Sequence, residues 1–192
     1  MTAPDGLDNQ EINEEIDEPE VSRLFAIYLN DHRAGAAAGT ALAERCARSN
    51  ERTALGRYLT DEFLEQLAYD RALLDRVRTR LDVRDNPFKQ WVARAGELIG
   101  RTKPNGKVLG YSPLSRILEL EALISAVTAK RQLWRVLAAL TTHEGNVFED
   151  RIAVADTQRE ALEAFHRSAV TEEFGSLNAA ERPRTDPRRD QP

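Results

Sequence analysis

Residues that staple or punctuate a fold are scarce in this chain. Its 192 residues include one methionine and one cysteine, Cys46, so an internal disulfide is excluded. Aromatic residues make up 6%, and no run of eighteen apolar residues occurs, which leaves no candidate for a membrane-spanning helix. The N-terminal stretch MTAPDGLDNQEINEEIDEPE lacks the apolar core of a secretory signal. With a lone cysteine, the expected compartment is the cytoplasm. No Gly-x-Ser-x-Gly, Walker or Rossmann fingerprint is present, so nothing marks a hydrolase elbow or a phosphate loop. An excess of basic charge is missing too. The net charge is −5, and residues 1–20 hold eight acidic side chains and no basic one, which leaves the remainder at +3. Such a near-balanced body gives no nucleic-acid footprint.

Proline and glycine gather at the ends and in one internal stretch, with long helical patterns between them. Residues 1–19 read as a disordered acidic arm, and residues 175–192, ending in ERPRTDPRRDQP, as a disordered tail. Between them the spacing predicts one domain over 20–174. Helix one runs from about Glu20 to Ser49, with Leu24, Leu29, His32, Gly35, Gly39, Leu42 and Cys46 on one face. Gly35 and Gly39 thin that face for a neighbouring backbone. Asn50 is the expected cap of helix two, whose face reads Leu55, Leu59, Phe63, Leu67, Asp70, Leu74, Val77 and Leu81.

Asn86-Pro87 opens a short amphipathic helix bearing Phe88, Trp91, Val92, Leu98 and Ile99, followed by a turn at Lys103–Lys107. Arg94, Arg101, Lys103 and Lys107 make this connection basic. Ser112-Pro113 starts helix three, with Leu114, Ile117, Leu118, Glu121, Ile124, Val127, Trp134 and Leu137 expected inward. His143 falls in the next turn. Asn146 and Glu149 have capping-box spacing at the start of helix four, whose face carries Val147, Arg151, Ala155, Gln158, Leu162, Phe165 and His166.

Two short hairpins and one connection of about thirty residues predict an all-α four-helix bundle in which helices two and three run parallel. In this arrangement of helices, over roughly residues 20–174, the chain resembles the ferritin-like superfamily. The resemblance implies a bundle core able to host a two-metal site. That site takes one Glu from each of two helices and Glu-x-x-His from each of the other two.

Ionisable residues interrupt the apolar faces, and a buried charge must be paired, metal-bound or functional. A rise of about 1.5 Å per residue places Asp31, His32, Asp70, Lys130 and Gln158 in one layer, with Arg151 close by. Two carboxylates meeting a lysine, an arginine and a histidine neutralise one another, so this layer is expected to be a salt-bridged polar core or a small-ligand site, without a cofactor. A second layer holds the single Glu-x-x-His string, Glu163 to His166, level with Glu121 and next to Glu62. Those four residues are the candidate ligands for iron or manganese in a rival, metal-dependent oxidoreductase reading. No catalytic residue is assigned. The leading expectation is a non-metal bundle with a binding or assembly role, dimerising through an exposed apolar helix face, with no nucleic-acid or membrane partner.

Overall fold

The computed structural model describes residues 23–84, 111–140 and 146–180, with side chains in the last helix described through Gly175. Among these residues there are four helices and no strand. Helix α1 is Arg23–Ser49. Helix α2 is continuous through three segments: Ala54–Tyr58, a π-helical turn at Leu59–Phe63, and Leu64–Arg80. Helix α3 is Pro113–Ala139 and helix α4 is Val147–Ala180. The acidic arm, the short helix with its basic residues, and His143 lie outside the described residues. The tail was expected from residue 175, yet α4 continues to Ala180. The first proline after Gly175 is Pro183, and one glycine costs a helix only about 1 kcal/mol.

Local chemistry sets the helix ends. The Ser112 hydroxyl accepts from Ser115 N–H at 3.1 Å, with Pro113 in the first turn where its missing donor is harmless. Asn146 Oδ1 accepts from Phe148 and Glu149 N–H at 3.1 and 3.2 Å, as the spacing predicts. Helix α2 departs from expectation. Its cap is Thr53, whose hydroxyl accepts from Gly56 N–H at 3.2 Å, while the Asn50 side chain turns back to Cys46 O at 2.8 Å. Gly56 is required there, because a Cβ would meet the Asn50 carbonyl oxygen at 2.1 Å. At its other end α2 closes with a Schellman pair, Val83 N–H to Arg78 O and Asp82 N–H to Thr79 O, with Asp82 left-handed at φ 48°.

The π turn has a sequence cause. Leu55, Leu59 and Phe63 repeat every four residues, which overshoots the 3.6-residue turn, and a wider turn keeps all three inward. All three are buried.

Contacts fix the packing. Arg33 pairs with Asp75 and Arg78 with Asn30, so α1 and α2 are antiparallel. Arg45 pairs with Glu119, and Gly39 faces Ala126, which sets α1 antiparallel to α3. Arg131–Asp156 and Arg116–Glu172 do the same for α3 and α4. Gly39 leaves ordinary room, with Ala126 Cβ 3.7 Å from a notional methyl, and Gly35 faces open space. Neither brings two backbones into close approach.

The core forms two apolar clusters. One gathers Leu42, Cys46, Leu59, Phe63, Leu120, Leu123 and Leu162; the other gathers Leu29, Leu73, Val77, Trp134, Leu137 and Phe148. Between them, on α2, α3 and α4, lies a polar layer. No helix among the described residues is long and apolar enough to cross a membrane.

Candidate functional site

Asp70 stands at the centre of the polar layer. It follows Phe63 by seven residues, two helical turns, and so inherits the inward face of α2. Its residue is 4% exposed. Lys130 reaches it from α3, with Nζ 2.6 Å from Asp70 Oδ2 and 2.5 Å from Gln158 Oε1 of α4. Arg151, about two turns before Gln158, places Nη1 3.6 Å from Asp70 Oδ1 and donates to Gln66 Oε1 at 3.2 Å. Its guanidinium lies over the Tyr69 ring, 4.7 Å from the centroid, a favourable cation–π distance. Asp70, Lys130, Arg151 and Gln158 are therefore brought together by three helices.

Asp31 and His32 are not part of this group. Asp31 is exposed, about 200° around α1 from the buried Leu29. His32 is half-buried with its ring edge-on to Tyr28, centroids 4.5 Å apart, and burial lowers its pKa against the raising effect of Asp31. The register explains the difference. Arg33–Asp75 and Asn30–Arg78 set Asp70 level with Ala38, seven residues beyond Asp31. At that height α1 offers Ala34-Gly35-Ala36-Ala37-Ala38-Gly39, with no side chain longer than a methyl.

Removing Asp31 changes the electrostatics. One carboxylate now faces two cations instead of two facing two. Burial, the larger effect, lowers the Lys130 pKa; Asp70 opposes the shift and Arg151 adds to it. Two buried polar atoms in the layer make no hydrogen bond: Asp70 Oδ1, held only by the longer Arg151 contact, and Gln158 Nε2. A donor left unpaired at 4% exposure is costly, by about 1–3 kcal/mol.

The second expected layer comes together only in part. His166 Nε2 lies 3.2 Å from Glu121 Oε1, at the surface between α3 and α4. Glu163 instead pairs with Arg159 at 2.5 Å on its own helix, and Glu62 is exposed on the π turn. Glu121 itself points outward, against expectation. The start of α3 is apolar on several sides, so periodicity does not choose its face. Packing on α1 rotates Glu119, Leu120 and Leu123 inward and leaves Leu114, Leu118 and Glu121 exposed. Among the described residues, no group of three or more His, Cys, Asp and Glu side chains is placed to hold a metal ion.

A third polar cluster has no counterpart in the sequence reading. Glu119, 5% exposed, takes Arg45 on one oxygen at 2.9 Å and the Tyr111 hydroxyl on the other at 2.8 Å. Asn50 donates to the same hydroxyl at 2.8 Å, and Cys46 Sγ lies 4.0 Å from it. Burial and the neighbouring Glu119 push the Cys46 thiol up to about 12, so a thiolate is disfavoured there. The cluster ties the entry of α3 to the end of α1. The one available signal was the Ile-Leu-Glu-Leu-Glu string at 117–121, which offers two glutamates a turn can interchange. Comparison of the chain with protein-family models, with curated proteins and with solved structures finds no match.

Proposed function

We propose that the protein is a bundle of ferritin-like connectivity serving a binding or assembly role, with a salt-bridged centre in place of a two-metal site. The antiparallel pairings α1–α2, α1–α3 and α3–α4 support that connectivity: they make α2 and α3 parallel, as a long crossover requires. The observation that carries the reading is the 2.6 Å contact of Lys130 Nζ with Asp70. An ammonium occupies the side of the carboxylate on which a divalent cation would need another acidic ligand. Metal analysis of the full chain, loaded with iron or manganese and desalted, tests it. The expected result is less than one equivalent retained; two equivalents per chain overturn the reading in favour of the oxidoreductase alternative.

A second reading, a site for a small acidic ligand, has its own support. The layer carries one more cation than carboxylate, Gln158 Nε2 is an unpaired buried donor, and the Ala/Gly run of α1 presents no side chain longer than a methyl at the same height. Thermal-shift titration with formate, acetate and chloride at fixed ionic strength separates the two. A ligand site predicts stabilisation that Gln158→Leu abolishes; equal shifts in both proteins count against it.

A further inference from the structure

Large apolar side chains exposed among the described residues are not scattered. Four of them, Leu114, Leu118, Val136 and Leu140, lie on or directly after α3 along its solvent face. Leu24 and Ile27 of α1 are level with Leu140 and Val136, by the register that Arg45–Glu119 and Gly39–Ala126 define. Phe174 of α4 is level with Leu114, by the register of Arg116–Glu172. Leu24 is 77% exposed and Leu114 51%, and by register these residues gather at the two ends of one face rather than scattering singly.

The outward stripe of α3 runs Leu114, Leu118, Glu121, Ser125, Ala129, Gln132, Val136, Leu140, all of it exposed. It reads nearly the same in both directions about residue 127. Leucine answers leucine at the ends, Leu118 answers Val136, and small residues meet at the centre. A self-complementary pattern of this kind is what an isologous two-fold contact demands. We infer that a second copy of this chain docks here, its α3 antiparallel to the first across a two-fold axis at residue 127. This contact rests on the assembly half of the function proposed above and gives it a partner and a surface.

In that arrangement Leu114 meets the partner's Leu140, and Leu118 meets the partner's Val136. Leu24 of one copy then flanks Leu114 of the other, while Phe174 flanks the partner's Leu140. Each end of the interface becomes one apolar cluster built from both copies. Ser125 and Ala129 let the helix axes approach at the centre. Charge agrees as well. Glu121 and Arg135 project from the same side of α3, and the two-fold sets each within about 3 Å along the axis of its opposite in the other copy.

Area is the remaining requirement. A helix face of 27 residues is about 40 Å long and about 10 Å wide, near 400 Å² per copy. A stable interface uses about 800 Å² per partner. The α3 stripe alone falls short, so the contact must also draw on flanking residues of α1 and α4.

Sedimentation of the full chain at micromolar concentration tests the inference, with twice 21.6 kDa expected. The charge pairs Leu118→Glu/Val136→Glu and Leu118→Lys/Val136→Lys should each halve the observed mass, and an equimolar mixture of the two should restore it. A second check uses the exposed central positions: Ser125→Cys/Ala129→Cys should oxidise to a covalent dimer with unchanged helicity. A wild-type monomer overturns the inference, and so does a dimer that survives both charge pairs. The second outcome leaves assembly standing through another face, whereas the first removes self-assembly altogether.

Discussion

Lys130 of α3 joins Asp70 of α2 at 2.6 Å, a salt bridge between the two helices that the long connection separates in sequence. Both side chains are almost wholly enclosed, at 13% and 4% exposure. The pair therefore carries weight that a surface bridge would not. It also divides the apolar core into its two clusters.

Lys130→Met should destabilise the protein by about 3–5 kcal/mol, because Asp70 keeps only the longer Arg151 contact. Urea unfolding followed by circular dichroism measures this. A loss below about 1 kcal/mol would mean that the bridge is worth no more than an exposed one.

Glycine and left-handed positions separate sharply. Gly56→Ala should cost about 3 kcal/mol, since its methyl would press on the Asn50 carbonyl, a backbone atom that cannot step aside. Gly39→Ala should stabilise by about 0.5–1 kcal/mol through helix propensity, its nearest neighbour being 3.7 Å away. Asp82→Gly should gain up to about 1 kcal/mol by relieving a positive φ. Opposite signs for Gly56 and Gly39 in one thermal-melt series are the decisive outcome.

Tyr111→Phe leaves the buried Asn50 amide and Glu119 with one partner fewer each, although Arg45 still holds Glu119. The expected loss is about 1–3 kcal/mol. Unchanged stability in denaturant titration would show that the cluster does not secure α3 to α1.

Stability should fall on the alkaline side. Burial, with Glu119 and Glu62 adding, pushes Cys46 from 9.0 and Tyr58 from 10.0 each up to about 12, and burial also raises Tyr111. Between pH 9 and 12 the native state keeps protons the unfolded chain has released, so these groups stabilise fully below pH 9 and progressively less above it. Lys130 works the other way, its lowered pKa favouring the native state as pH approaches 10.5. Tyr28, also raised by burial, joins the first three, so four groups oppose one and the net change is a loss. Tyr58→Phe should flatten the Tm-against-pH curve above pH 10, and Cys46 should resist thiol reagents at pH 8 until the protein unfolds.

Much of the fold was legible in the residues. The four helices, the caps at Ser112 and Asn146, and the meeting of Asp70, Lys130, Arg151 and Gln158 all follow from period, cap chemistry and rise per residue. Between α3 and α4 the height estimate holds to within two residues, since Lys130 meets Gln158 and Glu121 meets His166. Across α1 and α2 it fails by several, which removes Asp31 and His32 from the centre. That register includes the π turn of α2, which departs from the uniform rise on which the heights depend.

By itself, the sequence determined which segments are helical and which of them carry inward charge, because both are properties of single helices. Only the tertiary structure decided which neighbour each face meets. Glu119 and Glu121 lie about 200° apart around α3, and packing against α1 decides which of them enters the interior. The misplaced charges of the sequence thereby resolve into one carboxylate between two cations, a balance no single helix could specify.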